Sequence, residues 1–147
     1  MTLLDSDASS IDQSAIIETE RLLWAGPLTV ITSIVAVHLV RLLVIWIPGV
    51  RGDSTPLGLV APTIDTVILV SLGVLVFAGI SASSDHPVRT FRRVAFGALL
   101  VSFVPVIVGG LGTMIGGLPT GLALAAMHVA AYIPCVTLLP MLLTMRR

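Results

Sequence analysis

The stretch that decides the fold runs from Val94 to Met145 and reads VAFGALLVSFVPVIVGGLGTMIGGLPTGLALAAMHVAAYIPCVTLLPMLLTM. Its 52 residues include no Asp, Glu, Lys or Arg. The hydrocarbon core of a bilayer takes roughly 20 apolar residues per helix, so this stretch corresponds to two spans and a short connection. Glycines and a proline at 109–110 and 116–119 divide it. We therefore predict transmembrane helices over about 94–111 and 120–143.

Two further apolar blocks lie upstream, at about 22–47 and 61–80, and a segment rich in Gly and Pro separates them. The composition agrees with a membrane protein, because 56% of the residues are hydrophobic and only 11% are charged, against about 25% charged in soluble domains. We predict an all-α fold, an integral membrane four-helix bundle over 22–145. Outside the predicted spans little length is left for a soluble catalytic module, so we expect the function to be exerted in or at the membrane.

The arginines predict the orientation, since positive residues that flank the spans are retained in the cytoplasm. All eight basic residues are arginine, and six of them fall on one side of the predicted membrane: Arg21, Arg89, Arg92, Arg93, Arg146 and Arg147. Only Arg51 falls on the other side. We predict that both termini are cytoplasmic. The predicted role of Arg89, Arg92 and Arg93 is to determine this topology and to contact anionic lipid headgroups.

The N-terminal segment 1–21 is acidic and is predicted to lie in the cytoplasm. Five acidic residues and no basic residue precede Arg21, which is the opposite of the start of a signal peptide. Ser10 and Gln13 resemble a capping box, and several apolar residues after it favour a short interfacial helix. A frayed acidic tail over 1–10 is the alternative.

Ionisable residues inside the predicted spans are the first candidates for function, because a charge in the bilayer is costly unless it is paired or hydrated. Helix 1 contains His38 and Arg41, helix 2 contains Asp65, and helix 4 contains His128. Tyr132 lies four residues after His128 and shares its helix face. At 1.5 Å of rise per residue all four ionisable residues belong to the outer half of the bilayer. We predict one intramembrane polar cluster.

Three interpretations of Arg41 and Asp65 remain open. The two side chains are predicted at similar depths on neighbouring antiparallel helices, so an ion pair between them would lock helix 1 to helix 2. Alternatively, Asp65 sits in the first turn of helix 2, where the helix dipole favours it, while Arg41 snorkels outward. The third interpretation is a relay for ions or protons.

His38 and His128 suggest a sharper hypothesis, because two imidazoles at similar depth on two helices are what axial haem ligation in a membrane bundle requires. Arg41 would then face a propionate. Two imidazoles and the Asp65 carboxylate, on three different helices, indicate a metal site only weakly. We expect no metal and no cofactor, with haem b as the alternative.

Two local features predict packing rather than chemistry. Cys135 is the only cysteine, and its position within helix 4 after Pro134 predicts a small buried residue. Glycines four apart, at 112 and 116 and at 117 and 121, match the small-residue motif of helix packing.

The passage from Gly121 to Pro134 reads GLALAAMHVAAYIP. Together with the glycines and proline before it and the arginine-rich second connection, it resembles a family of small four-span bacterial membrane proteins of unknown function. The resemblance implies a bacterial inner membrane and implies nothing about activity.

Two classes of function are compatible with these residues. The first is a non-enzymatic accessory, scaffold or assembly component held together by intramembrane polar contacts. The second is an active site in the membrane, either a small b-type cytochrome with His38 and His128 as ligands or a small transporter that uses Arg41, Asp65 and the histidines. No span contains Glu, and Ser71 and Ser102 have no evident adjacent base, so hydrolase chemistry is poorly supported. We predict the first class, with the bilayer and a second copy or a larger membrane protein as partners and without nucleic acid.

Overall fold

The computed structural model describes the backbone of residues 4–48, 50, 55–111 and 117–144, and side chains within 21–48, 50, 56–109 and 117–143. Four α-helices and one short 3-10 turn make up this part of the chain, which contains no strand. The helices are α1 (Leu4–Val44), α2 (Val60–Ser83), α3 (Pro87–Leu111) and α4 (Gly117–Thr144), and the 3-10 turn is Thr55–Leu57. The predicted all-α, four-helix fold is confirmed.

Each of the four helices contains a segment that is long and apolar enough to cross a membrane. These segments are Arg21–Val44, Val60–Ser83, Pro87–Gly109 and Gly117–Leu143. Trp24 and Trp46 lie near the two ends of the first segment and are 50% and 85% exposed. Tryptophan is enriched at both membrane interfaces, so their positions agree with a span between them.

The helices form a ring in which each packs against its neighbours in the chain and α4 closes on α1. A diagonal contact also joins α2 to α4. The connections between α2 and α3 and between α3 and α4 are short, so consecutive helices run antiparallel, as in an up-down-up-down bundle. This places the α1–α2 and α3–α4 connections at one end of the bundle and the α2–α3 connection at the other.

The α1–α4 interface is built on small residues at every fourth position of α1. Ala25, Thr29 and Ser33 have no exposed surface, and Val37 follows at 2%. Small residues in this spacing let two membrane helices approach closely. The Ser33 hydroxyl donates a hydrogen bond across the interface to the carbonyl oxygen of Ala131, at 3.3 Å.

This α1 stripe is not among the packing motifs predicted from the sequence, which were pairs of glycines. One predicted glycine pair, 112 and 116, lies outside the described residues. The α1 stripe uses Ala, Thr and Ser instead, and their four-residue spacing was the signal that could have found it.

Two apolar clusters fill the bundle. The loop-end cluster lies beside the α1–α2 connection and consists of Val37, Val44, Val50, Leu57, Ala123, Met127 and Ala130. The turn-end cluster lies beside the α2–α3 connection and consists of Val70, Phe77, Phe91, Cys135, Val136 and Leu139. Cys135 is a free thiol and is buried, which confirms the predicted packing role.

Helix α3 begins at Pro87, about two turns before the predicted start at 94. Arg89, Arg92 and Arg93 therefore lie in the first two turns of α3 rather than in a connection. Proline suits the first position of a helix because no intrahelical partner is needed for its missing N–H. Burial of Phe91 at 1% exposure then holds this arginine-bearing turn against the bundle.

Helix α1 is one continuous helix of 41 residues, so the helix predicted after Ser10 is the first part of α1. Its interfacial location stays a prediction. At 1.5 Å per residue α1 is about 60 Å long, roughly twice the thickness of the hydrocarbon core. Its first part, residues 4–20, therefore extends beyond the membrane-crossing segment. At the other end α1 stops at Val44 rather than at the predicted residue 47.

Helix α4 begins at Gly117, three residues before the predicted start. Gly117 has a φ angle of +81°, a left-handed conformation that glycine adopts without steric cost. This conformation turns the chain into α4, whose Thr120 is 2% exposed.

Candidate functional site

His38 joins α1 to α2 through a side-chain hydrogen bond. Its Nε2 atom lies 2.8 Å from the hydroxyl oxygen of Thr63, and that hydroxyl donates its proton to the carbonyl oxygen of Leu59 at 2.7 Å. A hydroxyl has one proton, so Thr63 accepts from His38 and the imidazole proton is on Nε2. The other nitrogen, Nδ1, is buried and has no hydrogen-bond partner among the described residues.

Arg41 holds the 3-10 turn against α1. Its Nε atom donates a hydrogen bond to the carbonyl oxygen of Leu57 at 2.6 Å. Leu57 itself is fully buried in the loop-end cluster. A charged donor makes this bond stronger than one between neutral groups. Arg41 therefore holds the 3-10 turn Thr55–Leu57 to α1.

The predicted ion pair between Arg41 and Asp65 is not formed among the described residues, and the register of α1 and α2 explains why. In antiparallel helices, the contact of His38 with Thr63 places Arg41 level with Val60. Asp65 lies five residues further along α2, which is about 7.5 Å along the helix axis. Because α2 begins at Val60, Asp65 lies in the second turn and not in the predicted first turn.

His128 has its tautomer fixed by its own helix. Its Nδ1 atom lies 2.8 Å from the carbonyl oxygen of Leu124, and a carbonyl only accepts, so Nδ1 carries the proton. The neutral ring then has its lone pair on Nε2, at the edge that faces away from the helix backbone. The edge-to-face ring of Phe103, with centroids 6.5 Å apart, packs against it from α3.

Two cavities meet at His128. The larger, which we call the α2–α4 cavity, has a volume of about 190 Å³ and lies between α2, α3 and α4. Its lining is apolar except for four residues with polar or sulfur atoms: Ser102, His128, Tyr132 and Cys135. The smaller cavity, of about 50 Å³, is lined by residues of α1, the 3-10 turn, α2 and α4 that include Asp65, Thr66 and His128.

The structure divides the predicted polar residues between two places. His128 and Tyr132 both line the α2–α4 cavity, as their four-residue spacing indicated. Asp65 and His128 both line the smaller cavity. His38 and Arg41 instead bond to Thr63 and to the 3-10 turn, and neither lines either cavity.

The residues present do not fit a haem held by His38 and His128. Nε2 of His38 is engaged by Thr63, and its Nδ1 is buried. The α2–α4 cavity, at about 190 Å³, is close to the roughly 150 Å³ of an apolar cavity that holds one benzene ring. A four-ring macrocycle needs far more room.

The described residues contain no group of three or more His, Cys, Asp and Glu side chains that could hold a metal ion. Hydroxyl groups within the spans bond to carbonyl oxygens of their own helices, three or four residues earlier: Thr29, Thr32, Thr66, Ser102 and Thr137. Such bonds satisfy a hydroxyl locally where no water is available.

Comparison with known proteins found no protein similar to this chain. Neither a protein-family model, nor a curated protein, nor a solved structure matches this chain. The geometry of the bundle and its polar residues therefore carry the inference of function.

Proposed function

We propose that the chain is a non-enzymatic, multi-pass protein of the bacterial inner membrane that serves as an accessory, scaffold or assembly component. The use of its intramembrane polar groups supports this proposal. His38 bonds to Thr63, Arg41 to the Leu57 carbonyl and Ser33 to the Ala131 carbonyl. Each of these hydrogen bonds joins two elements of the bundle, which is what a structural role requires.

The observation that carries the assembly role is the outward surface of α3. The apolar span of α3 is the least buried of the four. Its α3 outer face, defined as Gly97, Val101, Val104 and Val108, is exposed along the helix. A Cβ atom added at Gly97 would meet nothing within 4 Å, so no contact within the described chain requires a glycine there.

A second copy of the chain is the partner that this face fits. Glycine and β-branched valines present a shallow surface that another helix can approach closely, and close packing drives helix association in lipid. The span around it carries no charged residue after Arg93, so a twofold contact of α3 with α3 brings no like charges together. A twofold axis uses the same patch on both copies.

The test compares two exposed glycines. A Cβ atom added at Gly79 on α2 would also meet nothing within 4 Å, so Gly79→Leu is a matched control for Gly97→Leu. We expect the wild-type chain and Gly79→Leu to be dimeric in mild detergent and in nanodiscs, and Gly97→Leu to be monomeric. Native mass spectrometry of the protein from each preparation distinguishes a monomer of 15.4 kDa from a dimer. A monomeric wild type, or equal assembly of the two variants, would contradict the proposal.

A cysteine at the same face identifies the partner in the membrane. In a Cys135→Ser background, Gly97→Cys is expected to form a disulfide-linked dimer on oxidation, because a twofold contact brings the two copies of that position together. The control, Gly79→Cys, is expected to stay unlinked. Linkage of Gly97→Cys to a different protein alone would assign the face to a larger partner instead of a second copy.

The proposed orientation places both termini in the cytoplasm. Arg21 begins the first span, and Arg89, Arg92 and Arg93 begin α3 at the same end of the bundle. These arginines support a cytoplasmic location of that end and contact with anionic headgroups. In a Cys135→Ser background, a membrane-impermeant maleimide is expected to label Pro48→Cys in spheroplasts and Asp85→Cys only after lysis. The reverse pattern would contradict the orientation.

A further inference from the structure

We propose that the α2–α4 cavity binds a lipid-soluble molecule whose ring-sized head group carries a hydroxyl, and that this hydroxyl donates a hydrogen bond to Nε2 of His128. The proposal concerns a different part of the molecule from the α3 outer face and does not depend on assembly. It follows from the size of the cavity, the polar side chains of His128 and Tyr132 in its lining, and its position in the membrane.

The size of the cavity sets the size of the head group. Its volume is about 190 Å³, and an apolar cavity of about 150 Å³ is known to take up benzene. One six-membered ring with a short substituent therefore fits. The aliphatic side chains and Phe91 that line most of the wall favour an apolar ring over a sugar or a phosphate.

Two polar side chains of α4, those of His128 and Tyr132, give the cavity its proposed selectivity. In the neutral imidazole of His128 the lone pair is on Nε2, because the Leu124 carbonyl holds the one ring proton on Nδ1. The Tyr132 hydroxyl lies one helical turn further along the same face of α4. Neither atom has a hydrogen-bond partner among the described residues, and both residues line the cavity. A ligand hydroxyl can donate to Nε2 and accept from Tyr132, which an ether or a plain hydrocarbon cannot do.

The position of the cavity indicates how the ligand arrives. Its lining residues on α2, between Leu69 and Val76, lie at the middle of the span Val60–Ser83. Leu72 on α2 and Val94 on α3 line the cavity and are 55% and 46% exposed, so the cavity opens between these helices at membrane depth. A ligand therefore enters from the lipid, and any aliphatic tail extends back into it.

The test uses three probes of similar shape and the full chain in nanodiscs. The probes are 4-propylphenol, 4-propylanisole, in which the hydroxyl proton is replaced by a methyl group, and propylbenzene, which has no oxygen. Empty nanodiscs correct for partitioning into lipid. We expect the wild type to bind the phenol about tenfold more tightly than 4-propylanisole, the scale of one net hydrogen bond, and more tightly still than propylbenzene. Equal binding of the three, or no binding above empty nanodiscs, would overturn the proposal.

Two further measurements assign the preference to His128. In the wild type with ¹⁵N-labelled histidine, 4-propylphenol is expected to shift the Nε2 resonance of His128 and to leave His38 unchanged. In His128→Phe, the expected affinities for the phenol and 4-propylanisole become equal while propylbenzene still binds, because the oxygen of either probe can still accept from Tyr132. A preference for the phenol over 4-propylanisole that survives this substitution would overturn the role of His128, and an unshifted Nε2 resonance in the phenol-saturated wild type would do the same.

Discussion

The imidazole of His38 and the hydroxyl of Thr63 lie 2.8 Å apart and fix the register between α1 and α2. Because the Thr63 hydroxyl is also bonded to the Leu59 carbonyl, a continuous chain of hydrogen bonds runs from α1 into the first turn of α2. In the hydrocarbon core of a bilayer, a polar group without a protein partner has no water molecule with which to form a hydrogen bond. The hydrogen bond between His38 and Thr63 therefore favours one register of α1 against α2 over registers shifted along the helix axis.

Replacement of Thr63 by valine is expected to destabilise the bundle by about 1–3 kcal/mol, because the shape is kept while the donor on His38 Nε2 loses its acceptor. Unfolding in mixed micelles of increasing SDS content measures this cost. The control is Thr63→Ser, which keeps the hydroxyl and is expected to stay within about 1 kcal/mol of the wild type. Equal costs for the valine and serine variants would show that the hydrogen bond does not hold the register.

The α1 stripe predicts that Ser33 tolerates loss of its hydroxyl far better than an increase in size. Ser33→Ala is expected to cost less than about 1 kcal/mol, since the bond to Ala131 is long. Ser33→Leu forces a branched side chain into an interface with no exposed surface at this position, and a cost of about 1–3 kcal/mol or more is expected. Unfolding in SDS mixed micelles ranks the two.

The control for this stripe is Val35, which lies two residues away on α1 and is 52% exposed. Val35→Leu is expected to change stability by less than about 0.5 kcal/mol, because its side chain does not enter the interface. If Ser33→Leu is as harmless as Val35→Leu, α1 and α4 do not pack through this stripe.

The rings of Phe77 and Phe91 form an edge-to-face pair with centroids 4.9 Å apart. Both are nearly fully buried in the turn-end cluster, so Phe91→Ala is expected to cost about 3–5 kcal/mol. Phe96 is the matched control on the same helix, because it is 52% exposed. Thermal unfolding of the two alanine variants in one detergent gives the comparison, and a similar loss for both would contradict the burial of Phe91.

Hydropathy alone was enough to predict the number of helices. Four apolar blocks of this length cannot all be buried in a small soluble domain, but each is long enough to form one membrane-spanning helix. The four-residue spacing of His128 and Tyr132 was enough to predict that they share a face of α4, because this holds wherever the helix begins and ends. Burial of Cys135 followed from its apolar surroundings. These predictions depend only on local properties of the chain.

The contacts between helices could not be predicted in the same way. An error of three residues in the end of α1, at Val44 instead of 47, combined with the unknown path of the connection, shifts the helix register by more than a turn. Because of that shift, the predicted ion pair of Arg41 and Asp65 is not formed in the described part of the chain. His38 bonds to Thr63 instead, and Arg41 bonds to the Leu57 carbonyl. Boundary residues of helices are the least certain part of any sequence-based assignment. An error at a helix end changes which residues are expected to lie side by side on neighbouring helices.

The close approach of α2 to α4 at Gly73 and Cys135 supplies the last prediction. A Cβ atom at Gly73 would lie 3.0 Å from the Cys135 sulfur, so Gly73→Ala is expected to destabilise the wild type by about 1–3 kcal/mol through overpacking. In a Cys135→Ala background the sulfur is gone, and the same substitution is expected to cost less than about 0.5 kcal/mol. Gly97→Ala, where nothing lies within 4 Å, is the control and is expected to be neutral or slightly stabilising. A double-mutant cycle in SDS mixed micelles measures the coupling between the two positions, and a coupling of zero would mean that α2 and α4 do not meet there.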